Sequence, residues 1–166
     1  PPPPPPTSTP TRRRQRQMCI RDSYTILISF EPHEIDLREE LDIDEYSILA
    51  IPGYDTGFSF NSFKRYKFET FTTGKKCISL KSTIQQERRT TLMVVVDAYN
   101  HFIKLYQDNE LIDEATFEGR LMPYHNEKFM YLGKSLKKSQ NKRRPFKGIV
   151  NQLAIWNHSL EPGQVK

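Results

Sequence analysis

The sequence predicts an all-β, antiparallel sandwich of the jelly-roll kind. Three observations predict it. From Tyr24 onward, apolar residues recur with period two in short runs closed by turn residues. About ten such runs follow one another without an intervening stretch of helical period. Only Ser159 to Val165 reads as a helical turn, with Ser159 placed to cap it.

In chain order, Tyr24, Ile26, Ile28 and Phe30 alternate with Thr25, Leu27 and Ser29, and Pro32 stops the run because it has no ladder N–H. Tyr46 to Ile51 is short and apolar, closed by Pro52-Gly53. Phe58 and Phe60 alternate with Ser59 and Asn61, and Tyr66, Phe68 and Thr70 with Lys67 and Glu69. Ile78 and Leu80 follow the turn Gly74-Lys75. Leu92 to Val96 is apolar on both faces, as a central sandwich strand should be. In "HFIKLYQDNELIDEA", Phe102–Tyr106 and Leu111–Ile112 flank Asp108-Asn109. That pair predicts a tight hairpin, since Asn tolerates positive φ. Phe129–Gly133 and Phe146–Trp156 complete the set.

The 166 residues suffice for one domain, and 36% hydrophobic with 27% charged residues fits a globular class. No apolar run approaches the roughly 18 residues of a spanning helix. The net charge of +5 points to anionic partners, but it depends on the first 23 residues. These carry five arginines against Asp22 alone, seven of the 12 prolines, and Cys19. Pro1 to Thr11 is low-complexity and too polar to pack. Met18-Cys19-Ile20-Arg21-Asp22-Ser23 back-translates to ATG TGT ATA AGA GAC AG, which resembles a transposase end sequence of sequencing adapters, and Arg13–Gln17 continue it in frame. Residues 1–23 are therefore set aside as a disordered leader of adapter origin that displaces the natural N-terminus. Residues 24–166 form the domain, close to neutral and with one cysteine, Cys77.

A single cysteine excludes a disulfide within the domain and leans to a reducing compartment. The sequon Asn157-His158-Ser159 leans the other way, to the secretory pathway or the cell exterior.

"TTLMVVVDAYNHFIKLYQDNELI", then "FMYLGKS", then "PFKGIVNQLAIWNHSLEPGQV" resembles the laminin-G-like group of the concanavalin A-like lectin/glucanase superfamily. The matching features are a central strand ending at Asp97, the Lys104–Leu111 hairpin, a "YLG" strand, and Phe146, Gly148, Ile149, Ile155, Trp156, Asn157 and Leu160 in the last strand. Tyr24–Pro32 is similar to the group's earlier "FTI…W-x-x-P" strand, with Phe30 at the Trp position. The resemblance implies a concanavalin A-like sandwich. Asn109 departs from the group's usual Gly, and a strand that normally precedes Tyr24 is missing, which would leave a sheet edge exposed.

Glu34, Asp36 and Glu39 resemble the E-x-D-x-x-E strand of laminarinase-type glycoside hydrolases. A retaining mechanism needs two carboxyls roughly 5 Å apart, and Glu39 would need a bulge to join the other two. Glu40, Asp42, Asp44 and Glu45 follow at once, as in a solvated acidic loop, and no tryptophan lies nearby. The non-catalytic reading therefore prevails. Calcium favours carboxylate and carbonyl oxygens, and the resemblance implies a rim-loop site to which Asp42, Asp44 and Asp97 are the candidates. The competing reading is a charged surface loop.

"KSLKKSQNKRRPFK" places Lys134, Lys137, Lys138, Lys142, Arg143, Arg144 and Lys147 in fourteen residues without an acid. Such a cluster suits sulfated glycans or other polyanions, and the resemblance implies heparin-like ligands. The competing reading is a disordered insertion. Without interleaved aromatics, it is not a platform for single-stranded nucleic acid. His33, His101, His125, His158 and Cys77 lack metal-ligand spacing. Cys77 reads as a small core or edge residue, and Trp156 as core. The expectation is a non-catalytic module of a larger protein that meets a glycan or protein through rim loops. The alternative is an assembly domain of a large intracellular scaffold.

Overall fold

The computed structural model describes residues 23–33, 45–51, 56–61, 65–83, 88–121, 130–133 and 144–165. These form eleven strands: β1 (Tyr24–Pro32), β2 (Glu45–Ile51), β3 (Thr56–Asn61), β4 (Arg65–Phe71), β5 (Cys77–Thr83), β6 (Thr90–Asp97), β7 (Phe102–Gln107), β8 (Glu110–Thr116), β9 (Tyr131–Leu132), β10 (Arg144–Pro145) and β11 (Gly148–Trp156). A 3-10 turn, Pro162–Gln164, follows. One sheet has the order β11-β1-β6-β7-β8. The other runs β10-β2-β3-β4-β5, with β9 also on β2.

Period two explains the two layers. Tyr24, Ile26, Ile28 and Phe30 of β1 face inward with Leu92, Val94 and Val96 of β6 and with Ile103 and Leu105 of β7. Opposite them lie Ile48, Leu49, Phe58, Tyr66, Phe68 and Leu80, all at or near zero exposure. Phe30 meets Tyr66 edge-on at 5.1 Å between ring centroids, and Phe146 at 5.6 Å. Burial pushes the Tyr66 hydroxyl up to about 12.

β6 is central and buried on both faces, as its composition predicts. Its outward residues Met93 and Val95 form a second apolar cluster with Leu27 and Tyr106, packed by Phe102, Trp156 and Val165. The C-terminal segment lies over this cluster. The Thr25 hydroxyl donates to the His158 carbonyl and accepts from the Leu160 amide, both at 2.9 Å. The Tyr106 hydroxyl donates to Glu161 at 3.4 Å. Trp156 is thus half-buried under a strap, on the outside of the sheet.

The Asp108-Asn109 hairpin forms as expected, with φ of 50° and 73°. Its tip is stapled to β6: Asp108 N–H donates to the Thr91 carbonyl at 2.8 Å, and Thr91 N–H returns a bond to the Asp108 carboxylate at 2.9 Å.

Three boundaries differ from expectation. The Phe129–Gly133 run pairs only over Tyr131–Leu132. The last strand begins at Gly148 because Phe146 and Lys147 carry the chain from one sheet to the other, with Phe146 plugging the gap beside Phe30. The C-terminal turn starts at Glu161, whose amide donates to Gln164 Oε1 at 2.8 Å, and Ser159 lies before it.

Candidate functional site

The two outer faces of the sandwich differ in chemistry. The five-stranded sheet turns Leu27, Met93, Val95 and Tyr106 outward, and the C-terminal strap lies on them. The six-stranded sheet turns outward the polar members of its alternating strands. Phe58, Phe68 and Leu80 occupy the core, so their neighbours Lys67, Glu69, Ser79 and Lys81 face away from it.

The register arranges this face in rows. Ser47 of β2 lies opposite Ser59 of β3, Ser59 opposite Lys67 of β4, and Lys67 opposite Lys81 of β5. In the next row, Ala50, Gly57, Glu69 and Ser79 follow one another. Phe71 and Cys77 close the last row, with Cys77 exposed on the edge strand. Four strand spacings, from β10 to β5, span about 19 Å.

Several polar side chains of this face are little exposed. Lys67 Nζ lies 2.7 Å from Glu69 Oε1, with side-chain exposures of 17% and 13%. Cys77 Sγ donates to the same oxygen at 3.7 Å. Ser47 is 1% exposed. Ser79 Oγ is buried with no hydrogen-bond partner among the described residues. A buried hydroxyl left unpaired costs about 1–3 kcal/mol, so a group that bonds to it is favoured there.

The basic segment is anchored at the margin of this face. β10 pairs parallel with β2, Arg144 opposite Tyr46 and Pro145 opposite Ser47. β9 pairs antiparallel with the same strand. Gly133 N–H donates to the Ile48 carbonyl at 2.8 Å, and Phe146 N–H to the Gly133 carbonyl at 3.0 Å. The chain between residues 133 and 146 therefore leaves and returns through one hydrogen-bonded neck beside the Ser47 row. Lys134, Lys137, Lys138, Lys142 and Arg143 lie outside the described residues, and of Arg144 the structure describes the backbone position in β10.

Glu34, Asp36, Glu39, Asp42 and Asp44 also lie outside the described residues, between His33 and Glu45. Asp97 is described and buried. Its Oδ1 accepts from Ser23 Oγ at 3.2 Å, Tyr99 N–H at 3.0 Å and Asn100 N–H at 2.9 Å, and its Oδ2 accepts Asn100 Nδ2 at 2.9 Å. Burial pushes this carboxyl up, but the bonds from Asn100, Ser23 and Tyr99 outweigh it and hold the group below its ordinary value. The bonds from Tyr99 and Asn100 make Asp97 a staple of the β6–β7 turn. Among the described residues, no group of three or more His, Cys, Asp and Glu is placed to hold a metal ion.

Sequence reading picked out Arg144 and the segment it closes but missed Ser47, Lys67, Glu69, Ser79 and Lys81. The signal available was the polarity of alternate positions in Tyr66–Thr70 and Ile78–Lys81, which reads in sequence as an ordinary solvent-facing side.

The family described as the concanavalin A-like lectin/glucanases superfamily matches residues 20–166 of this chain. No curated protein matches. Among solved structures, the carbohydrate-binding module of the Ruminococcus gnavus intramolecular trans-sialidase, bound to α2,3-sialyllactose, aligns with a TM-score of 0.61 at 17% identity, over 84% of this chain and 78% of that one. The leech intramolecular trans-sialidase aligns at 0.64 and 14% identity, over 87% of this chain but 23% of its own. The binding domain of paraclostridial mosquitocidal protein 1 aligns at 0.63 and 13% identity, over 89% of this chain and 37% of that one. At these identities the likeness is one of fold.

Proposed function

Because the chain belongs to the concanavalin A-like lectin/glucanase superfamily, we propose that it is a non-catalytic module that binds acidic glycans on the outer face of the six-stranded sheet. The observation that carries the proposal is the little-exposed polar row beside the neck of the basic segment. Ser79, whose Oγ is unpaired among the described residues, lies opposite Glu69 on this face. The Lys67–Glu69 pair supplies charge-assisted donors and acceptors a few ångströms away. Lys134, Lys137, Lys138, Lys142, Arg143 and Arg144 supply the positive field that a carboxylated or sulfated sugar seeks. The solved module bound to sialyllactose, an acidic sugar, supports the reading by analogy of fold.

Retention on immobilised heparin and on immobilised sialyllactose tests it. The reference chain carries alanine at Arg12, Arg13, Arg14 and Arg16, so that the leader contributes little charge. Retention at low salt that fades as ionic strength rises, and that Lys137/Lys138/Arg143/Arg144→Ala removes, is expected. A reference chain that passes both columns unretarded at low salt overturns the proposal.

A further inference from the structure

The sequence holds one motif that the proposed binding face does not use. Of the seven asparagines in the chain, Asn157 alone begins an Asn-X-Ser/Thr triplet, Asn157-His158-Ser159, and its middle residue is not proline. That triplet is the acceptor pattern for an N-linked oligosaccharide, a bulky polar group that only a surface position can carry. The fold decides whether Asn157 offers one.

β11 ends at Trp156, which pairs with Thr25 of β1. Asn157 is the first residue beyond the strand and shares a bend with His158, both of them exposed. Among the described residues the Asn157 side chain has one hydrogen bond, at 3.2 Å between its Oδ1 and Nδ1 of its neighbour His158, and that bond is itself exposed. The carboxamide nitrogen takes no part in it. The fold therefore draws little from this side chain, in contrast to Asp97, whose carboxylate holds a turn. The bend is fastened through its backbone instead: the Thr25 hydroxyl donates to the His158 carbonyl and accepts from the Leu160 amide, both at 2.9 Å. Asn157 follows a strand of the five-stranded sheet, whereas the proposed binding face belongs to the six-stranded sheet, so the two lie on different layers.

We propose that Asn157 is a glycosylation site, modified once in the secretory pathway. In the transfer, Asn157 Nδ2 attacks the anomeric carbon of a lipid-linked oligosaccharyl pyrophosphate. The bond from Nδ2 to that carbon forms, the bond from the carbon to the pyrophosphate oxygen breaks, Nδ2 gives up one proton, and the lipid pyrophosphate leaves with the bonding pair. Ser159 supplies the hydroxyl that acceptor recognition requires at this spacing. Because the folded domain ties the backbone on both sides of Ser159 to Thr25, the transfer precedes the docking of this segment onto β1. The finished glycan stays compatible with the fold because Asn157 is left exposed. Modification here also decides between the two compartments toward which Cys77 and the triplet lean.

The full chain, secreted from a eukaryotic host behind a cleavable signal, tests the site, with intact mass read on both the secreted and the cell-retained protein. The mass of one added oligosaccharide is expected, released by a peptide N-glycosidase that leaves aspartate at position 157. The tryptic peptide Gly148–Lys166 locates it, since that peptide holds both Asn151 and Asn157 and only the second should change. Asn157→Gln and Ser159→Ala should each abolish the modification, and Ser159→Thr should keep it. The same peptide from the natural source, treated with the glycosidase in heavy-oxygen water, should carry the heavy label at position 157. An unmodified chain in the host, a glycan that survives Asn157→Gln, or an unlabelled natural peptide overturns the proposal.

Discussion

The backbone amide of Lys81, on the edge strand of one sheet, donates to the carboxylate of Asp113, on the edge strand of the other, at 2.9 Å. This bond closes the β5/β8 side and occupies an edge amide that could otherwise recruit another strand. Asp113→Ala should cost about 1 kcal/mol, the usual worth of such a bond. Asp113→Asn, which keeps an acceptor, should cost less. Urea denaturation of the two variants orders them, and equal costs would show that the bond contributes little.

Asn109 holds a φ of 73° in the β7–β8 hairpin, where only Gly avoids the side-chain strain. Asn109→Gly should raise stability by about 0.5 kcal/mol. Asp108→Ala should lower it, because Asp108 also accepts the Thr91 amide. Thermal melts of both variants give the signs directly.

Gly148 shows the opposite sensitivity. A Cβ there would lie 2.4 Å from the Glu31 carbonyl oxygen and 2.5 Å from Phe146 Cζ, at a φ of 156°. Gly148→Ala must displace either β1 or the Phe146 plug, so it should destabilise by about 3 kcal/mol or more. Its unfolding midpoint and the near-ultraviolet dichroism of the aromatic core measure this.

The Asp97 staple makes stability depend on pH. Its folded value lies below the ordinary one, so its contribution is complete above the unfolded value near 3.9 and is lost as pH falls through the folded value. Asp97→Ala should be less stable than the parent at pH 7, and the difference should shrink below about pH 4. A gap that stays constant down to pH 2 would assign the loss to packing.

The strand pattern was legible where one side chain in two entered the core. Tyr24–Phe30 and Leu92–Val96 read correctly because period two and a doubly apolar run are local signals. The Asp108-Asn109 turn read correctly for the same reason. The start of the last strand, expected at Phe146 and found at Gly148, did not, because the chain crosses between sheets there and that crossing is fixed by Phe146 packing against Phe30. The polar face escaped because Ser47, Lys67, Glu69 and Ser79 come from three strands that only long-range register aligns. Each is unremarkable in its own strand. The hydrogen bonds of Asp97 to Ser23 and Asn100 were not legible either, because Ser23 lies far from it in sequence.

Backbone-amide NMR of the full chain during titration with 3′-sialyllactose locates the sugar on the sandwich. Saturable shifts are expected at Ser47, Lys67, Glu69, Ser79 and Lys81, reduced when Lys67 and Ser79 are replaced by alanine. Shifts confined to the strapped face around Leu27, Met93 and Val165, or no shift at millimolar sugar, would contradict the proposed binding face.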